Sequence, residues 1–180
     1  MSERGGQGIG AGFRVEKLGR GHLQGMISLL NDPVVAQWLG GGRSDEAVAE
    51  LIDRDEQHWR QHGFGTLVAI SDEEPGLLGR AGVRRTTVEG RDEVELFYSV
   101  LPRVWGRSIA TQLSKAALAG FFEARPDGSV VAFTLPENLA SVRVMEKLGF
   151  ELEGRIVHAD LEHVLYRLSP VTARISATHE

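Results

Sequence analysis

The stretch EVELFYSVLPRVWGRSIATQLSKAALAGFF, from Glu93 to Phe122, decides the fold. Its first part, Glu93 to Leu101, is rich in β-branched and aromatic residues and has the length of a strand, and Pro102 ends the ladder. Its last part carries apolar residues at helical spacing from Ile109 to Gly120. A strand therefore leads through a basic, glycine-containing turn directly into an amphipathic helix.

The turn between this strand and this helix has the composition of an anion site. Arg103 and Arg107 bring positive charge, and Gly106 lets a ligand approach the main chain closely. The start of a helix adds unpaired N–H groups and the positive end of the helix dipole. A phosphate-bearing cofactor fits this turn better than a metal ion does. An ordinary strand-to-helix connection with surface arginines is the alternative, and these residues alone do not separate the two.

A second segment, NLASVRVMEKLGF from Asn138 to Phe150, makes the pattern specific. Together the two segments resemble the GCN5-related N-acetyltransferase (GNAT) superfamily, in which an R/QxxGxG/A loop holds the pyrophosphate of acetyl-CoA and a later NxxS…LGF helix lies along the pantetheine arm. Many relatives read WGxGxA in the loop; here Ser108 replaces the second glycine and Ile109 the frequent tyrosine. Because serine keeps its main-chain N–H, pyrophosphate binding is expected to survive this change.

The segments upstream of the loop, FRVEKL, LLNDPVVAQWLG and SDEAVAELIDRDEQHWRQHGFGTLVAI, follow an order that resembles the ribosomal-protein-alanine N-acetyltransferase (RimJ/RimL-like) subgroup. The resemblance covers the chain from about Phe13 to Leu168. It implies acetyl-CoA as acyl-donor cosubstrate and main-chain contacts from the end of the strand to pantetheine and the thioester carbonyl. The expected cofactor-binding residues are Ser99, Val100, Arg103, Trp105, Gly106, Arg107, Ser108, Ile109, Ala110, Asn138 and Ser141.

Composition bounds the class of protein. The chain has 180 residues, the size of one domain, and its 42% hydrophobic and 25% charged residues are typical of a soluble globular protein. A net charge of −5 gives no support for non-specific nucleic-acid binding. The absence of cysteine excludes disulfides, cysteine-ligated zinc and a cysteine nucleophile. No apolar run approaches the ~20 residues of a membrane span, and the first residues lack the order of a signal peptide, so the cytoplasm is the expected compartment.

Hydrophobic periodicity predicts strands that first form hairpins and later alternate with helices. Such an order indicates an α+β domain with a mixed, mostly antiparallel sheet and helices on both faces, as in the GNAT fold. We expect this domain at 13–169, a flexible glycine-rich arm at 1–12 and a polar tail at 170–180. The expected strands are 13–18, 66–70, 77–85, 93–101, 129–134, 151–157 and 161–168, and the main helices begin near 22, 44, 109 and 138.

Two residues are candidates for the acid–base chemistry of acetyl transfer. Glu95 stands among apolar residues of its strand, and the resemblance implies that a glutamate there removes the proton of the amine, often through water; a solvent-facing carboxylate is the alternative. Ser141 matches the serine that protonates the CoA thiolate in related enzymes, with close helix packing as the alternative role. Tyr98 is a second candidate donor, and Asn138 either binds the pantetheine amides or caps its helix.

The acceptor is expected to be a primary amine, either a protein N-terminal α-amine or a small molecule. Trp38 and Phe64 lie in the region that forms the acceptor site of relatives and are candidate contacts. No metal is expected, because His58 and His62 stand one helical turn apart without a further ligand. A non-catalytic acyl-CoA-binding module and a homodimer remain open alternatives at this point.

Overall fold

An eight-stranded sheet forms the centre of the computed structural model, which describes residues 7–8, 12–73 and 76–170. Neighbouring strands are antiparallel throughout the order β1-β2-β3-β4-β5-β6-β8-β7, except that β5 and β6 are parallel. The expectation of a mixed, mostly antiparallel sheet is therefore confirmed. The strands are β1 (Gln7–Gly8), β2 (Phe13–Lys17), β3 (Thr66–Ser71), β4 (Leu77–Val88), β5 (Arg91–Val100), β6 (Val130–Thr134), β7 (Glu151–His158) and β8 (Leu161–Leu168).

Helices cover both faces of the sheet, as expected. On one face, Met26, Val48 and Ile52 pack against Val68 of the sheet. On the other face, the later helices bring apolar side chains such as Phe121 onto the opposite side of the same strands. The helices are α1 (Leu23–Leu30), α2 (Pro33–Ala36), α3 (Asp45–His62), α4 (Ile109–Ala124) and α5 (Leu139–Lys147), and short 3₁₀ turns occupy Arg20–His22 and Pro102–Val104.

The ends of α3 follow the capping signals in the sequence. The Ser44 hydroxyl oxygen accepts a hydrogen bond from the Ala47 N–H at 3.2 Å, which satisfies one of the free donors of the first turn. Gly63 ends the helix in the left-handed region with φ of 78°. This helix packs Val48 and Ile52 onto the face of the sheet that carries Val68.

The β4–β5 hairpin is longer than the sequence predicted. Its turn is Glu89-Gly90, both with positive φ, and Arg91 pairs directly with Val88. Hydrophobic periodicity missed the start of β5 because Arg91 and Asp92 are exposed and charged, although their main chain belongs to the ladder. The extra pairs extend the hairpin away from the loop, so they leave the site itself unchanged.

The predicted terminal arm and tail fall mostly on residues 1–6, 9–11 and 171–180, which lie outside the described residues. Within the arm, Gln7 and Gly8 form an edge strand against Val15 and Arg14. Residues 74 and 75 of the predicted β3–β4 turn also lie outside the described part. None of the helices in the described ranges has both the length and the apolar character needed to cross a membrane.

Candidate functional site

The parallel strands β5 and β6 diverge, and the opening between them is the centre of the candidate site. Their ladder has a single registered pair, Glu95 with Val131. Beyond this pair β5 continues to Val100, and no strand of the described chain pairs with that part on the β6 side. The opening, which we call the strand gap, therefore exposes one edge of a central strand inside the sheet.

Hydrogen-bond phase determines which main-chain groups face the strand gap. The Leu101 N–H donates to the Leu78 oxygen at 2.9 Å, in the same register that pairs Ser99 with Arg80. In an antiparallel ladder the bonded residues alternate, so the main-chain groups of Ser99 face β4. Those of Tyr98 and Val100 face the strand gap. Of the two residues predicted to offer main-chain contacts, Val100 is placed for this role and Ser99 is not; Tyr98 takes its place.

The sequence analysis named Ser99 instead of Tyr98 because the choice between them depends on strand register. Hydrophobic pattern alone does not provide that register. The Val100 carbonyl is partly engaged, because the indole Nε1 of Trp105 donates to it at 2.9 Å. The Val100 N–H and both main-chain groups of Tyr98 remain directed into the gap. These donors and acceptors form a row that an extended amide-containing ligand can pair with, as an additional strand would.

The loop after β5 ends at a helix N-terminus with free donors. The first main-chain bond of α4 runs from the Gln112 N–H to the Ser108 oxygen at 2.9 Å, so the N–H groups of Ile109, Ala110 and Thr111 have no partner within the helix. The Ser108 side chain does not cap them. Gly106 and Ser108 both lie in the left-handed region, with φ of 78° and 59°. Free N–H groups at the start of a helix, next to two left-handed residues, have a geometry that can bind an anion.

Side chains around the loop add charge and fix its position. Arg103 and Arg107 are exposed, and Trp105 is 51% exposed while its indole ties the loop to the end of β5. Ile109 is buried against the core, so only its main chain can contact a ligand. At Gly106 an added Cβ would meet nothing within 4 Å, so the glycine is needed here for its positive φ and for close approach of a ligand.

Helix α5 closes the strand gap on the face that also carries α4. The Tyr98 hydroxyl lies 2.8 Å from both the main-chain oxygen and the side-chain Oγ of Ser141. Burial raises the pKa of Tyr98 well above its ordinary value of 10.0, partly offset by the hydrogen bond to Ser141, so the phenol stays protonated at neutral pH. The Asn138 side chain caps α5 by accepting from the Ser141 N–H at 3.2 Å. The structure thus joins both candidate proton donors.

Glu95 lies at the closed end of the strand gap, on the opposite face from Tyr98. It is 6% exposed, and its Oε2 accepts a hydrogen bond from Arg84 Nε at 2.8 Å. The carboxylate is therefore buried and oriented, unlike a strand residue that points to solvent. Its second oxygen takes part in no hydrogen bond among the described residues.

The two aromatic candidates for the acceptor site differ in their exposure to solvent. Trp38 follows α2, is 37% exposed and precedes the glycine-rich turn before α3. Phe64 is buried, and its ring packs edge-on against Phe121 of α4 with centroids 5.0 Å apart. Phe64 therefore packs into the core on the face that carries α4, and its contact with an acceptor stays a prediction.

One buried charge in the site was missed by the sequence analysis. Arg80 of β4 is 6% exposed and lies opposite Ser99, on the same face as Glu95 and Arg84. The Phe97 ring lies between the two arginines, with its centroid 5.1 Å from Arg80 Cζ and 4.9 Å from Arg84 Cζ. A signal was present: an arginine interrupts the otherwise apolar run LLGRAGV.

Other features of the described residues do not compete with this site. No cluster of three or more histidine, cysteine, aspartate or glutamate side chains suited to a metal occurs in the described ranges. A surface cavity of about 550 Å³ lies at the far ends of β5 and α4 and is lined by residues such as His62, Arg85 and Arg125. It is remote from the loop, so the strand gap and the start of α4 remain the candidate site.

Comparison with known proteins agrees with this arrangement. Residues 13–151 match the family described as "Acetyltransferase (GNAT) domain". The match spans more than half of the chain, so the chain belongs to the GNAT acetyltransferases and is an N-acetyltransferase by class. YkkB, an uncharacterised protein of Bacillus subtilis, is 28% identical over 128 residues, which cover 71% of this chain and 74% of that protein.

Solved structures share the fold at low sequence identity. Ribosomal-protein-S5-alanine acetyltransferase from Vibrio fischeri is 18% identical, with a TM-score of 0.75 over 92% of this chain and 96% of that one. The aminoglycoside acetyltransferase AAC(6')-Ib, solved in complex with coenzyme A, is also 18% identical, with a TM-score of 0.73 over 92% of this chain and 99% of that one. At these identities the likeness establishes the fold and leaves the substrate open.

Proposed function

We propose that this protein transfers an acetyl group directly from acetyl-CoA to a primary amine. The observation that carries the proposal is the strand gap beside the free N–H groups at the start of α4. The strand gap suits a pantetheine arm, which carries amides, and the free N–H groups at the start of α4 suit a pyrophosphate. The coenzyme A complex of the aminoglycoside acetyltransferase, which has the same fold, supports the same cosubstrate.

Each part of the site has a distinct task in cosubstrate binding. The N–H groups of Ser108, Ile109 and Ala110 would bind the pyrophosphate, with Arg103 and Arg107 adding positive charge nearby. The main chain of Tyr98 and Val100 would pair with the pantetheine amides and donate to the thioester carbonyl. Asn138 caps α5 and so holds Ser141 against the gap.

Acetyl transfer requires a neutral amine and a proton for the departing thiolate. We assign proton removal from the amine to Glu95, directly or through a water molecule. The amine nitrogen then forms the bond to the acetyl carbon while the carbon–sulfur bond breaks, and the paired hydroxyls of Tyr98 and Ser141 supply a proton to the sulfur. Because the amine attacks the thioester itself, no covalent enzyme intermediate is needed, which agrees with a chain that lacks cysteine.

The acceptor is a protein N-terminal amine or a small-molecule amine. The fold likeness to a ribosomal-protein acetyltransferase and to an aminoglycoside acetyltransferase supports both classes equally. Trp38 is the more exposed candidate for acceptor contact. A non-catalytic acyl-CoA-binding module is not favoured, because a buried carboxylate and a paired proton donor flank the gap. The cytoplasm and a homodimer remain predictions from the sequence.

Thermal unfolding with added acetyl-CoA tests the proposal. A ligand at a hundred times its Kd stabilises the native state by ~2.7 kcal/mol, so acetyl-CoA should raise the Tm clearly, whereas plain adenosine should not. The variant Gly106→Glu places a carboxylate at the anion site and should abolish this rise.

Gly90→Glu is the matched control for this experiment. Gly90 also has a positive φ, of 76°, and open space around an added Cβ, but it lies in the β4–β5 turn, away from the loop. The control should lose stability as Gly106→Glu does and still respond to acetyl-CoA. An unresponsive wild-type protein at saturating acetyl-CoA would contradict the proposed function.

A further inference from the structure

The guanidinium of Arg80 is buried without a charge partner. Among the described residues it makes no ion pair, and its Nε has no hydrogen-bond partner. A buried charge of this kind is costly unless it is paired, so an anion that binds from outside the chain would stabilise it. Burial, together with the nearby positive charges of Arg84 and Arg43, lowers the pKa of Arg80 to about 10, so it is still cationic at neutral pH.

The carboxylates near Arg80 are already engaged. Glu95 accepts from Arg84 Nε at 2.8 Å, and Asp55 accepts from the Thr66 N–H and hydroxyl. The groups that act on Arg80 are the guanidiniums of Arg84 and Arg43 and these two carboxylates. Counted together with Arg80, these groups carry three positive and two negative charges, which leaves one positive charge in excess.

The position of Arg80 relates this excess charge to the reaction centre. Arg80 pairs with Ser99, the residue between the two that present main-chain groups to the strand gap. Its side chain lies on the face of Glu95, the proposed base, and opposite the face that carries Tyr98 and Ser141. An amine that reaches Glu95 on this face would come close to Arg80.

We propose that the amine acceptor carries a carboxylate group, which Arg80 binds. This inference rests on the proposed function and narrows its substrate class. An excess of one positive charge matches a carboxylate, which has a single negative charge, better than a phosphate, which has nearly two at neutral pH. The planar guanidinium of Arg80 suits a planar carboxylate, and it lies against the Phe97 ring, which also contacts Arg84.

The experiment compares amines that differ in one group. CoA release is measured with glycine and glycinamide, β-alanine and β-alaninamide, the C-terminally amidated dipeptides of Ala-Asp and Ala-Asn, and phosphoethanolamine and ethanolamine. We expect at least one carboxylate amine to exceed its amide partner by about tenfold or more in kcat/KM, as a lost charge-assisted contact requires. The same amines are also added with CoA in thermal unfolding, where the carboxylate members should stabilise the complex more.

The variant Arg80→Met and its control test whether the carboxylate preference depends on Arg80. Methionine replaces the aliphatic stem of arginine and removes the buried charge, so the fold should tolerate it, and the carboxylate preference should disappear. Arg80→Lys keeps the charge without the fork and should retain part of the preference, which preserves the test if the methionine variant unfolds. Arg85→Met, an exposed residue on the opposite face of the same strand, should keep all of it.

The outcomes separate this inference from the proposed function. A wild-type protein that acetyl-CoA stabilises, but that treats carboxylate and amide amines alike, overturns the inference alone. A preference for phosphoethanolamine, a carboxylate preference that survives in Arg80→Met, or no binding by any carboxylate amine overturns it as well. Failure of acetyl-CoA to bind contradicts the proposed function itself.

Discussion

The Tyr98 hydroxyl lies 2.8 Å from the Ser141 Oγ, across the boundary between a central strand and helix α5. It also donates to the Ser141 main-chain oxygen at 2.8 Å, so one phenol connects two elements that are far apart in sequence. Two side chains that the sequence offered as alternative proton donors are thus neighbours. A proton lost by one hydroxyl can be replaced by the other, and the pair acts as a unit.

Removing either hydroxyl should therefore have nearly the same effect as removing both. We expect Tyr98→Phe and Ser141→Ala each to lower kcat by about 10²-fold, the range for loss of a general acid, with the double variant no worse than the more damaged single one. Steady-state CoA release measures this, with acetyl-CoA affinity as the control that should change little. Multiplicative effects in the double variant would show that the two hydroxyls act independently.

Replacing Glu95 by glutamine should lower turnover and leave acetyl-CoA binding intact. The amide cannot accept the proton of the amine, so kcat/KM should fall by about 10²-fold or more. Thermal unfolding with acetyl-CoA should still show the full stabilisation. Glu93→Gln is the matched control, because Glu93 lies on the same face of β5 and is ion-paired, with Arg167 at 2.8 Å. If both variants lose activity equally, the role of Glu95 is structural.

Ser108→Gly should stabilise the protein. Ser108 adopts φ of 59°, a conformation that costs a residue with a side chain roughly 1–2 kcal/mol and glycine much less. We expect the free energy of unfolding to rise by about 1 kcal/mol and the Tm by roughly 2–4 °C. Ser108→Ala keeps the strain, so its stability should stay near that of the wild type.

The same pair of Ser108 variants tests how the loop binds acetyl-CoA. If the loop binds through its main chain, both variants should keep the wild-type Kd, because each retains the N–H of residue 108. A similar loss of affinity in the glycine and alanine variants would assign the contact to the serine hydroxyl. Isothermal titration with acetyl-CoA distinguishes the two cases.

The ion pair of Glu93 predicts a pH dependence of stability. The hydrogen bond from Arg167 lowers the pKa of Glu93 below its ordinary value of 4.5. A lowered folded-state pKa contributes stability that is fully present above 4.5 and is lost as the pH falls through the folded-state value. The free energies of unfolding in urea of wild type and Glu93→Gln should thus differ at pH 7 and converge in acid. Asp92→Asn, a change at an exposed neighbour, should show no such convergence.

The sequence predicted the order of strands and helices because amphipathic periodicity and capping residues are local signals. The helix expected to begin near 44 and the strands expected at 66–70, 151–157 and 161–168 occur where the sequence placed them. The loop at Gly106 was also predictable, since glycine and arginine composition determines its chemistry. These features depend on few long-range contacts.

Features that depend on register or on packing between distant elements were not predictable in this way. Strand register turns the main chain of Tyr98, and not that of Ser99, toward the strand gap. Phe64 packs into the core against Phe121 of α4. Arg80 could have been noticed as a charge within an apolar run. Its lack of an ion pair among the described residues depends on packing, because Glu95 and Asp55 bond to Arg84 and Thr66 instead.

The single registered pair between β5 and β6 divides the sheet into two halves that meet along a seam. Strands from β1 to β5 form one half, and β6 to β8 form the other. An acetyl-CoA molecule that binds along this seam would be a structural link as well as a reactant. It would add contacts between two halves of the sheet that only one registered strand pair connects. Amide hydrogens of Tyr98 and Val100 should accordingly exchange with deuterated solvent quickly in the free protein and slowly with acetyl-CoA bound. The reaction centre would then lie at the boundary where the described part of the sheet has the fewest registered pairs, and bound acetyl-CoA would stabilise that boundary.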